Sequence, residues 1–151
     1  MFIQEADLFK GLSQRVINEI GDNMIEESYS KGDFVIREGG PAEYFYILQE
    51  GEIRLSVGEK GRFTHMICNS GEAFGWSSLV DRSTYTASAE CLAPTKLIKI
   101  EKEGLNIVFK KDPVSGLIFF KRLAELIGDR LINSYTMLLS AYKEEGPPSY
   151  G

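Results

Sequence analysis

Residues 74–91, FGWSSLVDRSTYTASAEC, gather side chains suited to holding a small molecule. Phe74 and Gly75 open a sharp turn, and the next residues read as the start of a short helix. The first N–H groups of a helix have no internal partner, so those of Ser77 and Ser78 are expected to favour an anion, with both hydroxyls adding donors. Arg82, in the loop DRST, either swings inward as a cation or stays in solvent beside Asp81. Trp76 and Tyr85, with Thr86 following, offer planar surfaces with an indole N–H and a phenol O–H as polar handles. Those same aromatics are equally able to fill the space. Residue types alone leave both readings open, an effector pocket and a closed one.

Other chemistry has less support. His65 is the only histidine, and Cys68 and Cys91 are the two cysteines, without CxxC spacing. A single imidazole falls short of the histidine cluster that a zinc or iron enzyme of the cupin type needs. His65 has no motif-level partner that would activate a serine or cysteine nucleophile, so no enzyme activity and no catalytic residue is expected. A hydrogen-bonded core or pocket histidine is the plainer assignment.

Stepping outward from these residues, the elements that must carry them are marked by a change of period. In DLFKGLSQRVINEIGDNM, Leu8, Leu12, Val16, Ile17 and Ile20 have helical spacing, with Ser13 as the expected N-cap and Gly21 as the stop. From about Ile25 to Ile100 the apolar pattern alternates, with corners expected at Gly32, Gly39-Gly40, Gly51, Gly58, Gly61, Gly71 and Gly75. Many short strands with regular turns predict an antiparallel jelly-roll β-barrel. After KKDP the period becomes helical again to about Tyr142, and EEGPPSYG is expected to be a flexible tail over 143–151. Along that last helix (about 113–142), Phe120, Ala124, Ile127, Leu131, Ser134 and Leu138 recur in three- and four-residue steps. Such a seam predicts a homodimer, and a helix that also covers its own barrel.

Composition sets outer limits. The 151 residues suit one domain, and 43% hydrophobic with 26% charged residues is an ordinary globular balance. A net charge of −5 argues against a nucleic-acid surface. No apolar run approaches the roughly 18 residues of a membrane helix, and MFIQEADLF lacks the pattern of a secretory signal. Unpaired cysteines fit a reducing, cytoplasmic location.

Helix, glycine-cornered strands and long helix together resemble the cyclic-nucleotide-binding domain, the sensor half of the catabolite-activator superfamily. The resemblance rests on LFKGLS, on KGDFVIREGGPAEYFYILQEGEIRLS, on SGEAFG, on DP before the last helix and on DRL within it, and it covers roughly Asp7 to Tyr142. It implies a fold that is mainly β with flanking helices: a short N-terminal helix, a jelly roll, a short helix at the ligand loop and a long C-terminal helix, all within residues 1–142. It also implies an effector pocket lined by the strand of His65 and by the Phe74–Thr86 region, with a cyclic phosphate at the short helix. The family glutamate that accepts the ribose hydroxyl falls on Trp76, and the family arginine that neutralises the phosphate falls on Tyr85. Both expected groups are missing. A cyclic nucleotide is thus expected to bind weakly or not at all, and another small planar or anionic effector becomes an option; no cofactor is specified.

The resemblance assigns the purine-covering role to Ser134 and Tyr135 on the last helix. Relatives of this fold can hold haem, for which His65 or Cys68 would be the axial ligand, but residues three apart on a strand face opposite sides. A DNA-reading helix-turn-helix follows the long helix in the family, and only about ten polar residues follow it here. The expected role is therefore a stand-alone regulatory module with an altered pocket, acting on an unidentified protein partner through its last helix. Its rival is a dimerising or partner-docking scaffold with a filled pocket.

Overall fold

Alternating burial builds eight strands among the described residues: β1 (Met24–Tyr29), β2 (Phe34–Ile36), β3 (Tyr44–Glu50), β4 (Ile53–Val57), β5 (Phe63–Ile67), β6 (Ala73–Phe74), β7 (Ser88–Cys91) and β8 (Thr95–Glu101). The computed structural model describes residues 6–58 and 63–145. All paired strands run antiparallel, in two sheets ordered β1–β8–β3–β6 and β2–β7–β4–β5. This order is that of a jelly roll, as expected, although the two sheets face each other without closing into one hydrogen-bonded barrel. Two edge strands are very short, β6 with two residues and β2 with three, which leaves little backbone to bridge the sheets. The expected corner at Gly61 and the end of the tail, 146–151, lie outside the described residues.

The sheet β1–β8–β3–β6 is buried on both faces, and this explains why β3 reads YFYIL and not as a clean alternation. Phe45 and Ile47 point under the helices, where they meet Ile98, Ile100, Phe109 and Phe119. Tyr46 and Leu48 point the other way, into the space between the sheets, with Ile53, Ile67, Phe74 and Leu97. The register puts Phe45 opposite Ile100 and Leu48 opposite Leu97, so each face is matched pair by pair.

Three α-helices close the outer face: α1 (Gln14–Gly21), α2 (Lys102–Lys111) and α3 (Pro113–Glu145). Ser13 caps α1 as expected, its hydroxyl accepting the Val16 N–H at 3.3 Å, while Asp7–Phe9 forms a separate 3₁₀ turn. Helix α2 is absent from the sequence reading. Its buried residues Leu105, Val108 and Phe109 have helical spacing, but the segment is short and Gly104 interrupts it. A Cβ on that glycine would lie 2.6 Å from Asn23 Oδ1, so any larger residue would have to displace the Asn23 side chain. The DP pair marks the start of α3, where Asp112 Oδ1 accepts the Ser115 N–H at 3.1 Å and Pro113 takes the first helical position.

The first half of α3 is a core element. Phe119 is fully buried, with ring centres 5.5 Å from Phe9, 5.0 Å from Phe109 and 6.2 Å from Phe45. Further along, the helix leaves its own barrel, and Leu131, Ile132, Tyr135, Leu138 and Leu139 are each at least half exposed. The helix continues to Glu145, slightly beyond the expected end. No helix of the described residues is long and apolar enough to cross a membrane.

Candidate functional site

The turn that follows β6 favours glycine. Gly75 has φ +82°, and a Cβ on it would lie 3.1 Å from Tyr46 Cδ2 and 3.2 Å from the Tyr44 carbonyl oxygen. It leads into a single 3₁₀ turn, Trp76–Leu79. Here Ser78 departs from the expectation of a free donor: its N–H and its hydroxyl both donate to the Gly75 carbonyl, at 3.2 and 2.9 Å. The Ser77 hydroxyl is paired with Thr86 Oγ1 at 3.3 Å, and both serines are buried. Tight turns satisfy their own donors first, so the side chains expected to greet an anion are largely spent on local geometry.

Tyr85 has turned into the core. Its hydroxyl donates to the Tyr44 carbonyl at 2.6 Å and accepts the Tyr44 N–H at 3.1 Å, and its ring joins the cluster between the sheets. Burial raises its pKa, as expected for a phenol held neutral there. Phe74 is likewise a core residue, stacked on Tyr46 at 5.2 Å and 11°. Arg82 remains exposed, its guanidinium 5.8 Å from the centre of the Trp76 ring.

A cavity of about 270 Å³ opens between the 3₁₀ turn, the strand pair β4–β5 and helix α3. Four of the expected residues line it: His65, Trp76, Thr86 and Ser134. Gly75, Ser77 and Tyr85 border a much smaller recess of about 30 Å³ beside it. Phe74, Ser78, Arg82 and Tyr135 line neither, and Tyr135 is 60% exposed on α3. Leu55, Val57, Ala87, Ile127 and Leu131 supply apolar wall. The expected helix seam is therefore divided. Phe120 packs on Phe109 and Phe119, Ile127 rests on the core, Leu131 and Ser134 edge the cavity, and Ala124 and Leu138 are exposed.

Among the lining residues that the sequence does not mark out, Leu55, Val57, Ala87 and Arg130, only Arg130 carries a charge. Its guanidinium reaches from α3 to donate a hydrogen bond to the carbonyl of Ala73 on β6. Burial pulls its pKa below the usual guanidinium value, and Glu72 offsets part of that effect. No carboxylate lies within ion-pair distance of it among the described residues. The signal available in sequence was positional: Arg130 falls three residues after Ile127 and four before Ser134, placing a charge on the apolar stripe. Across the cavity, His65 has a pKa below the ordinary imidazole value, from burial first and Arg130 second. It is thus a neutral imidazole facing a cation. Cys68 falls just past the end of β5, is exposed and does not line this cavity.

Comparison with known proteins gives this geometry a family. The model of the cyclic nucleotide-binding domain matches residues 26–112. A cGMP-dependent protein kinase of Drosophila melanogaster is 27% identical over 111 residues, which span 70% of this chain and 12% of the kinase. Among solved structures, a cyclic nucleotide-binding domain from Methylobacillus flagellatus aligns with a TM-score of 0.77 at 18% identity, covering 99% of this chain and 83% of that one. The catabolite activator protein of Thermus thermophilus aligns with a TM-score of 0.70 at 24% identity, covering 91% and 64%. On a match that covers more than half of its length, the chain belongs to the cyclic nucleotide-binding domain family, whose members are regulatory domains.

Proposed function

We propose that this domain is a sensor whose small-molecule effector occupies the cavity between Trp76, His65 and α3, in a pocket altered from the cyclic-nucleotide site of its family. The observation that carries this reading is the open space itself. Trp76 stands at the wall of a cavity of about 270 Å³, and Tyr85 lies in the core, so the two rings do not stack together to close it. Because α3 supplies Ile127, Arg130, Leu131 and Ser134 to the wall, an occupant would contact barrel and helix together. Differential contact of that kind is what couples a ligand to the position of a helix. The exposed second half of α3 supports a homodimer as the form that transmits the change, with a protein partner reading it.

Cyclic AMP and cyclic GMP themselves are expected to bind poorly. Trp76 and Tyr85 stand where the resemblance calls for glutamate and arginine, and Ser78 has no donor to spare. Loss of two charge-assisted contacts of about 1.5–3 kcal/mol each weakens binding by hundredfold or more. Calorimetry showing low-micromolar affinity for either cyclic nucleotide would overturn the altered-pocket reading. A thermal-shift screen of nucleotides, cyclic dinucleotides, haem and small organic acids tests the sensor reading as a whole. Trp76 is the only tryptophan, so its emission reports whether a hit enters this cavity. A panel that moves neither melting temperature nor emission favours the scaffold.

A further inference from the structure

We infer that Arg130 is the anion anchor of this cavity, and that the effector class is a compact organic anion with an apolar or aromatic body. The inference deepens the sensor reading and rests on it. Leu55, Val57, Ala87, Ile127 and Leu131 with the Trp76 ring make most of the wall, and no carboxylate contributes to it. Such a wall accepts an apolar body, while its one fixed charge is positive. At about 270 Å³ the space is near the lower end of ligand pockets, which limits the body to about one or two rings.

A partly buried cation is costly to leave without an ion pair, and Arg130 donates to the neutral Ala73 carbonyl with no carboxylate at ion-pair distance among the described residues, Glu72 acting on it only from further away. Its remaining nitrogens are not sealed: the buried side-chain polar atom without a partner is Arg122 Nε, and no atom of Arg130 shares that condition. Arg130 lines the cavity with nitrogens beyond the one bonded to Ala73, and a guanidinium fork donates two parallel hydrogen bonds to a carboxylate or phosphate. Thr86 and Ser134 place hydroxyls on the same lining, and Ser134 already donates to the Arg130 carbonyl at 2.9 Å.

This placement also gives the anion a lever. Ala73 lies on β6, directly before Phe74 and the Gly75–Trp76 turn, and Arg130 lies on α3. An anion that draws the guanidinium competes with the Ala73 carbonyl, so occupancy alters the tie between α3 and the turn.

The test uses the whole chain and a matched pair of probes, 3-phenylpropionate and the uncharged 3-phenylpropanamide, with calorimetry for affinity and Trp76 emission for location. The carboxylate is expected to bind at least about tenfold tighter than the amide and to shift the emission. Arg130→Gln, which keeps a donor for Ala73, is expected to abolish that preference, and Arg130→Lys to retain part of it. Equal binding of the two probes would overturn the anchor while leaving the pocket in place. Binding of neither probe would overturn the compact-anion inference, with the broader screen then deciding the sensor reading. An unchanged preference in Arg130→Gln would also overturn it. Should Arg130→Gln fail to fold, the wild-type preference and its retention in Arg130→Lys decide the matter.

Discussion

Tyr85, placed where the resemblance expects an arginine, serves the scaffold. Its hydroxyl satisfies both the N–H and the carbonyl of Tyr44, at 3.1 and 2.6 Å, so it works as a clamp on the start of β3. Tyr85→Phe is expected to cost about 1–3 kcal/mol in urea denaturation, since it strands two partly buried backbone groups, with probe binding in the large cavity nearly unchanged. Tyr85→Arg, which introduces the arginine that the resemblance expects, should cost more, because the adjoining recess is only about 30 Å³. His65 makes a pH-dependent contribution of known sign. Its folded pKa is depressed below the ordinary value of 6.5, so the unfolded chain takes up the proton more readily. Stability is therefore expected to be unaffected by this group above about pH 6.5 and to fall on acidification below it, until the folded pKa is passed. As the only histidine, it can be isolated: His65→Gln should flatten that slope in melts taken from pH 7 to pH 5.

At the scale of elements, the corners hold the sheets in place as much as the strands do. Gly51, between β3 and β4, has φ +117°, and a Cβ there would lie 2.4 Å from Thr95 Oγ1 and 2.7 Å from Thr95 Cα. Backbone on that side cannot give way as a flexible side chain would. Gly51→Ala is expected to cost more than about 2 kcal/mol by the same denaturation measurement, from the left-handed backbone and the clash together. Gly32, with φ +92° and open space around its Cβ direction, serves as the control: Gly32→Ala should pay only the conformational part. Helix α3 divides by environment along its length. Its early turns lock Phe119 and Leu123 into the core, its middle edges the cavity, and its last turns carry apolar residues into solvent.

For the whole molecule, that last stretch is the feature most in need of a partner. Leu131, Tyr135 and Leu138 are 50%, 60% and 62% exposed, on one side of a helix of 33 residues. Pairing two such helices removes apolar surface from water at about 25 cal/mol per Å². Sedimentation velocity is expected to show a dimer, and Leu131→Glu with Leu138→Glu a monomer. A dimer that survives both changes would place the contact elsewhere. Leu131 also edges the cavity, so the exposed position Leu138→Glu alone is the variant to use when assembly and ligand binding are measured together.

Local pattern fixed the architecture. Alternation with glycine corners specified the strands, Ser13 and the Asp112–Pro113 pair marked two helix starts, and apolar steps of three and four residues marked α3. Each of these depends on residues a few positions apart, which is the range over which backbone geometry and side-chain facing are set. Four residues that line the large cavity were legible for the same reason, since His65, Trp76, Thr86 and Ser134 sit on elements whose facing the pattern and the resemblance supply. What escaped was decided by contacts between distant segments. Tyr85 finds Tyr44 41 positions away, and Arg130 finds Ala73 57 positions away. Whether a tyrosine becomes a clamp, or a helix arginine a cavity cation, depends on which backbone groups the sheets leave unpaired nearby, and only the assembled sheets and helix determine that.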